Sequence, residues 1–212
     1  HLLFEGTKNI EGGQWFKIVE ANGGSNNAYT SDDQTYYYEV FPSNKLELSL
    51  WMESERMLHP IIRQEDRITL QEGVVKEEKN FRLRNAPYGA LLYAVRSNLY
   101  KKHPYGRLTI GLDKDLTAAN IDDFKKFNAR YHKPNNATLV VAGDIDIDQT
   151  KEMVEKYFAD IPSSDDVVRN LPKEDPIKET IRSTWYDPNI QVPALLVGYI
   201  TPKMNTREAR VL

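Results

Sequence analysis

Two strand-like runs, Ser25–Thr30 and Thr35–Phe41, stand on either side of Ser31-Asp32-Asp33, whose turn chemistry joins them into a hairpin. Pro42-Ser43-Asn44 follows at once and opens a helix to about Leu58, with Leu46, Leu50 and Met57 on one stripe. A chain that passes from a strand pair straight into a helical block must pack helices against a sheet. Tyr36-Tyr37-Tyr38 in the second run alternates across its strand, half toward the core and half toward solvent.

The remaining segments fit that frame. A short helix around Gln14–Ala21 closes on Asn22-Gly23-Gly24, a C-terminal stop. Pro60 breaks the helix after the hairpin, and two more are predicted from about Arg63 to Leu83 and from about Pro87 to Leu99. Leu2-Leu3-Phe4 reads as the end of an apolar helix, and Thr117 as the cap of a helix to about Tyr131. Ala137–Ala142 is short and β-branched, which suits a buried strand, and a helix over about Gln149–Phe158 follows. Ile161–Lys178 is polar, holds Pro162, Pro172 and Pro176, and reads as a surface connection within one domain. Strand patterns resume at Ile181–Tyr186 and Val192–Ile200, and Thr206–Leu212 opens a last helix. The expected class is α+β, an α/β sandwich whose mostly antiparallel sheet carries helices on one face.

Composition narrows the function. With 212 residues, 40% of them hydrophobic, the chain can build the core of one large domain or lobe. No apolar run approaches the roughly 20 residues of a membrane span. A net charge of −3, with both signs interspersed as on a solvated surface, gives no footprint for nucleic acid. The absence of cysteine excludes disulfides, thiol nucleophiles and cysteine-held metal.

Four stretches carry chemistry. They are His1-Leu2-Leu3-Phe4-Glu5-Gly6-Thr7 with Val74-Val75-Lys76-Glu77-Glu78; Gly23-Gly24 through Asn27-Ala28-Tyr29-Thr30; His103-Pro104-Tyr105-Gly106; and Tyr131-His132-Lys133-Pro134-Asn135-Asn136-Ala137 leading to Gly143-Asp144. In this order and spacing they resemble the inverted-motif (His-x-x-Glu-His) zinc peptidases, the family of pitrilysin, insulinase and mitochondrial processing peptidase. The resemblance spans nearly the whole chain.

It implies that His1 corresponds to the second motif histidine and Glu78, 77 positions on, to the third zinc ligand. Imidazole and carboxylate oxygen are both zinc donors, and a catalytic site needs three such ligands plus an open position. Glu77 is the rival acid, but neighbours on a helix point about 100° apart, so one of the pair alone can face a metal. Gln71 lies two turns before Glu78 on about the same face, and it and Glu77 are expected close behind the ligands. Asn27, Ala28 and Thr30 could belong to an edge strand that pairs with peptide substrate, or could be sheet residues only. His59, His103 and His132 sit in turns or beside prolines and read as structural.

The resemblance also implies that the first motif histidine and the general-base glutamate would fall before His1. The chain is therefore expected to be an incomplete first lobe, truncated at both ends, inactive alone and weak in binding zinc. The parent protein is expected to be a zinc metalloendopeptidase acting on peptides or unfolded segments, partnered by a second homologous lobe or subunit and resident in a bacterial periplasm or cell envelope. The alternative is a non-catalytic subunit of the same family that binds peptide or supports a complex.

Overall fold

The computed structural model describes residues 1–60 and 65–211. Arg63, where the second long helix was expected to begin, and Leu212, at the end of the last one, lie outside them. The chain divides into two compact units, residues 1–73 with 114–168 and residues 74–113 with 169–212.

The first unit is organised by the predicted hairpin. Strands β1 (Ser25–Thr30) and β2 (Thr35–Val40) pair antiparallel from Ser25↔Val40 to Thr30↔Thr35. Period-two alternation puts Tyr36, Tyr38 and Val40 on the solvent face, and turns Tyr37 and Glu39 inward. Tyr29 joins the outer row, its ring 5.3 Å from that of Tyr36, which is 6.0 Å from that of Tyr38.

Helix α1 (Trp15–Ala21) closes on Gly23, which takes the positive φ of 75° that a helix stop favours. Helix α2 (Leu46–Leu58) carries the next buried face. Ile10, Trp15, Val19 and Met52 form the core of this unit, with Phe4, Ile18, Phe41, Leu48 and Trp51 packed against it. Gly6, at φ 127°, lets the chain turn beneath that core; a Cβ there would lie 2.5 Å from the Ile10 carbonyl oxygen.

Not all charges lie on the surface, contrary to the reading of composition. The Arg56 guanidinium is 4% exposed and stacks over Trp15, Phe4 and Tyr37, with ring centroids 4.1, 4.5 and 4.7 Å away. Its Nε donates to Glu53 Oε2 at 3.0 Å, and Nη2 reaches Glu39 Oε1 at 3.5 Å. Trp15 Nε1 and Ser49 Oγ also donate to Glu39, each at 3.1 Å.

Burial, and then the charge of Glu53, push the Glu39 carboxyl from an ordinary 4.5 up to about 7, against the pull of Arg56. With the folded value above the unfolded one, this group's stabilisation is complete below about 4.5 and lost as pH rises through about 7. The loss is roughly 3 kcal/mol at most. Thermal melts between pH 5 and 8 should show the unsubstituted chain losing stability relative to Glu39→Gln. Parallel pH profiles for the two would refute this account.

Helix α3 (Glu65–Lys79) continues into a π-helical turn, Asn80–Arg84, and the boundary between the units falls within it, after Gly73. In the second unit, Tyr88 takes φ 60° and Gly89 sits so tightly that a Cβ would be 2.5 Å from the Arg82 oxygen. Helix α4 (Leu91–Leu99) therefore begins at Leu91, four residues later than Pro87. Lys79, Arg84 and Asp113 form a charged knot, with Lys79 Nζ 2.7 Å from Asp113 Oδ1; the hydrogen bond from Lys79 leads in holding the Asp113 carboxyl below its usual range.

The expected helix to Tyr131 is split in two. Helix α5 (Asp113–Ala118) ends, and Asn120 opens α6 (Ile121–Tyr131) through a capping box: its side chain accepts from the Asp122 and Asp123 amides, and Asp123 accepts from the Asn120 amide. Asn120, not Thr117, is the cap. Helix α7 (Ile147–Phe158) starts two residues early because Asp146 accepts from the Gln149 amide at 2.9 Å. Leu2–Phe4 is a single 3-10 turn, and α8 (Arg207–Val211) is the last helix.

The hairpin is the one sheet among the described residues. Residues 137–142, 181–186 and 192–200 carry strand patterns but join no ladder. A β-rich run becomes a strand only when a neighbour accepts its hydrogen bonds. In the second unit the later segments pack on α4 instead. Trp185 meets Tyr93 edge-on at 5.9 Å, Asn98 Nδ2 donates to Ser183 Oγ at 2.8 Å, and Gly198 passes so close to Val95 that a Cβ would lie 2.4 Å from its Cγ1. Leu195 remains 90% exposed.

Candidate functional site

His1 opens the 3-10 turn, its carbonyl accepting from the Phe4 amide at 2.9 Å. Its exposed ring reaches α3: Nδ1 lies 3.1 Å from Gln71 Oε1. Gln71 Nε2 donates to Glu5 Oε1, and Arg67 Nη1 donates to Glu5 Oε2 at 3.2 Å. This run of partners sets the amide. With Gln71 Nε2 committed to a carboxylate, Oε1 is the acceptor, so the His1 Nδ1–H donates; in the neutral ring that leaves the lone pair on Nε2. Histidines that ligate metals are commonly oriented through their other ring nitrogen in this way.

Glu78 lies on the part of α3 that belongs to the second unit. Its carboxylate is half-buried, with Arg82 Nη2 2.8 Å from Oε1 one turn on. Glu77 points elsewhere, to solvent, where it accepts from Asn80 Nδ2 at 3.5 Å. The structure thus brings His1 and Gln71 together within one unit and separates Glu77 from Glu78 by helix phase. Among the described residues no group of three or more His, Cys, Asp or Glu side chains is gathered as for a metal ion.

Asn27, Ala28 and Thr30 lie on β1, opposite Tyr38, Tyr37 and Thr35. The Ala28 amide is held by Asn27 Oδ1 at 2.8 Å, and the Thr30 and Thr35 hydroxyls are 3.3 Å apart. His132 is half-buried against Tyr37 and Phe127, and burial pushes its pKa down. His103 caps a 3-10 turn by accepting from the Tyr105 amide. The sequence reading missed the Arg56 cluster. Its signal was there: Glu39 shares an alternation face with Tyr37, and Arg56 follows Met52 by one helical turn.

Comparison with known proteins gives the family. A model described as Insulinase (Peptidase family M16) matches residues 1–112. The chain belongs to the insulinase family. A second model, described as the Peptidase M16 inactive domain, matches residues 118–212. Among relatives, this insulinase-family chain is 32% identical over 98% of its length to the zinc protease PqqE of Helicobacter pylori, covering 47% of that protein. It is 29% identical over 74% of its length to an uncharacterized zinc protease of Mycobacterium leprae, covering 35% of it. The chain therefore spans half or less of the length of these relatives.

A crystal structure of a protease from Helicobacter pylori aligns with a TM-score of 0.74 at 34% identity, over 82% of this chain and 41% of that one. The first half of the periplasmic protease PqqL from Escherichia coli aligns with a TM-score of 0.72 at 24% identity, over 82% of this chain and 38% of that one, and shares the fold. The α+β class inferred from the hairpin and helical block is thus the class of the family's lobes. No described helix is long and apolar enough to cross a membrane.

Proposed function

We infer that this chain is part of a zinc-dependent endopeptidase that hydrolyses peptides or unfolded polypeptide segments. The observation that carries the reading is the His1–Thr7 motif, with its histidine ring held at Nδ1 by Gln71, in a chain of the insulinase family. In this reading His1 Nε2 and the Glu78 carboxylate are zinc ligands. The donor chemistry fits zinc, but two donors fall one short of a catalytic set. The first motif histidine and the general-base glutamate would be supplied by sequence preceding His1 in the longer protein.

Zinc held there would supply Lewis acidity to the scissile carbonyl and the attacking water. The chain's own part is to orient. Gln71 fixes the His1 tautomer, Glu5, itself paired with Arg67, holds Gln71, and Asn27, Ala28 and Thr30 offer a strand against which an extended peptide could pair. A second homologous lobe would complete the enzyme, with these 212 residues as one incomplete lobe. An envelope location belongs to the same proposal and is tested by osmotic-shock fractionation.

The test is cleavage of an unstructured fluorogenic peptide. The full-length protein should cut it, lose activity in chelator and regain it with Zn2+, while the 212-residue chain should show no cleavage. Full-length protein that binds peptide without cutting it would favour a non-catalytic subunit.

A further inference from the structure

The last turns of α2 grip the residues that follow His1. Arg56 Nη1 donates to the Leu3 carbonyl at 3.3 Å, and the same guanidinium lies 4.5 Å from the Phe4 ring centroid. Its neighbour Glu55, 7% exposed, accepts from Thr7 Oγ1 and from Asn9 Nδ2, both at 2.9 Å. Thr7 Oγ1 in turn accepts from the Ile10 amide at 3.1 Å. Just past the helix, the His59 carbonyl accepts from the Lys8 amide at 3.0 Å, and Thr7 forms an isolated bridge with Pro60.

Burying the Glu55 and Arg56 side chains is a costly way to stabilise a helix end, since desolvation offsets most of what their separate partners return. What they supply is direction. Glu55 commits both carboxylate oxygens to Thr7 and Asn9, and Arg56 holds Leu3 and Phe4. The Leu2–Phe4 turn then ties that grip to His1, because the Phe4 amide donates to the His1 carbonyl. Gln71 fixes the ring, and α2 fixes the backbone that carries it.

We propose that Glu55 and Arg56 are positioning residues that hold the His1–Asn9 segment so that the His1 ring meets the metal at a set place. This rests on the zinc-peptidase reading and adds to it a role for residues that touch neither metal nor substrate.

The test uses Co2+ as a spectroscopic substitute for zinc in the full-length protein, with Arg56→Lys, Glu55→Gln and, as a milder change, Thr7→Val. Each should lower Co2+ affinity by about 10- to 100-fold, the range for residues that orient a ligand, and should alter the visible band. In the metal-free 212-residue chain the Phe4 and Thr7 amides should exchange at least about 10-fold faster, and by a larger factor than the α1 amides. Variants that melt earlier but keep Co2+ affinity, visible spectrum and Phe4 exchange would overturn the proposal and leave Glu55 and Arg56 purely structural. If the unsubstituted full-length protein takes up no Co2+, the peptidase reading fails by itself. The exchange measurement then decides whether α2 holds the segment, and unchanged Phe4 and Thr7 rates would overturn the grip as well.

Discussion

Replacing Glu78 by glutamine in the full-length protein is expected to weaken zinc binding by at least about 100-fold and to lower peptide cleavage at matched zinc by a similar factor. Changing a residue that only orients a ligand costs 10- to 100-fold, so losing a ligand should cost no less. Glutamine keeps the length and half-buried packing of Glu78, and Arg82 is separated from it by one helical turn and can remain in place. The variant should therefore fold normally, which makes the comparison interpretable. Glu77→Gln, one residue away on the solvent side, is the control and should leave both quantities within about 2-fold. Equal affinities for Glu78→Gln and the unsubstituted protein would remove Glu78 from the site. A large loss for Glu77→Gln instead would transfer the role to its neighbour.

Arg56→Met should cost about 3–5 kcal/mol of stability, the range for breaking a buried ion pair by removing one partner. Methionine fills much of the volume between Phe4, Trp15 and Tyr37, so the loss reports charge and hydrogen bonding more than a cavity. Glu39 and Glu53 are left facing each other without their cation, and the Leu3 carbonyl loses its donor. At roughly 2–4 °C per kcal/mol for a chain of this size, the melting temperature should fall by about 10 °C. Adding Glu39→Gln to Arg56→Met should recover part of the loss by removing the stranded buried carboxylate. A fall of under about 2 °C for the single change, or no recovery in the double, would contradict this account of the cluster.

How far the sequence could be read depended on how local each determinant was. The hairpin lies where its β-branched and aromatic runs and its Ser-Asp-Asp turn put it, because two strands joined through residues 31–34 need nothing else to pair. The α4 start and the α5–α6 break were misplaced because they turn on single residues, a left-handed Tyr88 and the Asn120 capping box, that compete with plausible alternatives nearby. Residues 137–142, 181–186 and 192–200 have strand chemistry, yet ladder formation belongs to a pair of segments and cannot be read from one. At the candidate site, helix phase put Gln71 on the face of Glu78, and the hydrogen bond between its amide and the His1 ring is what the structure adds. Glu55 and Arg56 were passed over because charged side chains on a helix ordinarily face water, which outweighed the one-turn spacing of Arg56 from Met52; the packed structure turns them toward Leu3 and Thr7.

The three tryptophans fall unequally across the two units. Trp15 is fully enclosed beneath a guanidinium and Trp51 lies partly covered beside it, whereas Trp185 stands half in solvent against Tyr93. Emission from the first pair should be blue-shifted and that of Trp185 red-shifted, so a chain with Trp185→Phe becomes an optical reporter of the first unit alone. Comparing its melt with that of the unsubstituted chain would reveal whether residues 74–113 and 169–212 unfold with the rest or ahead of it.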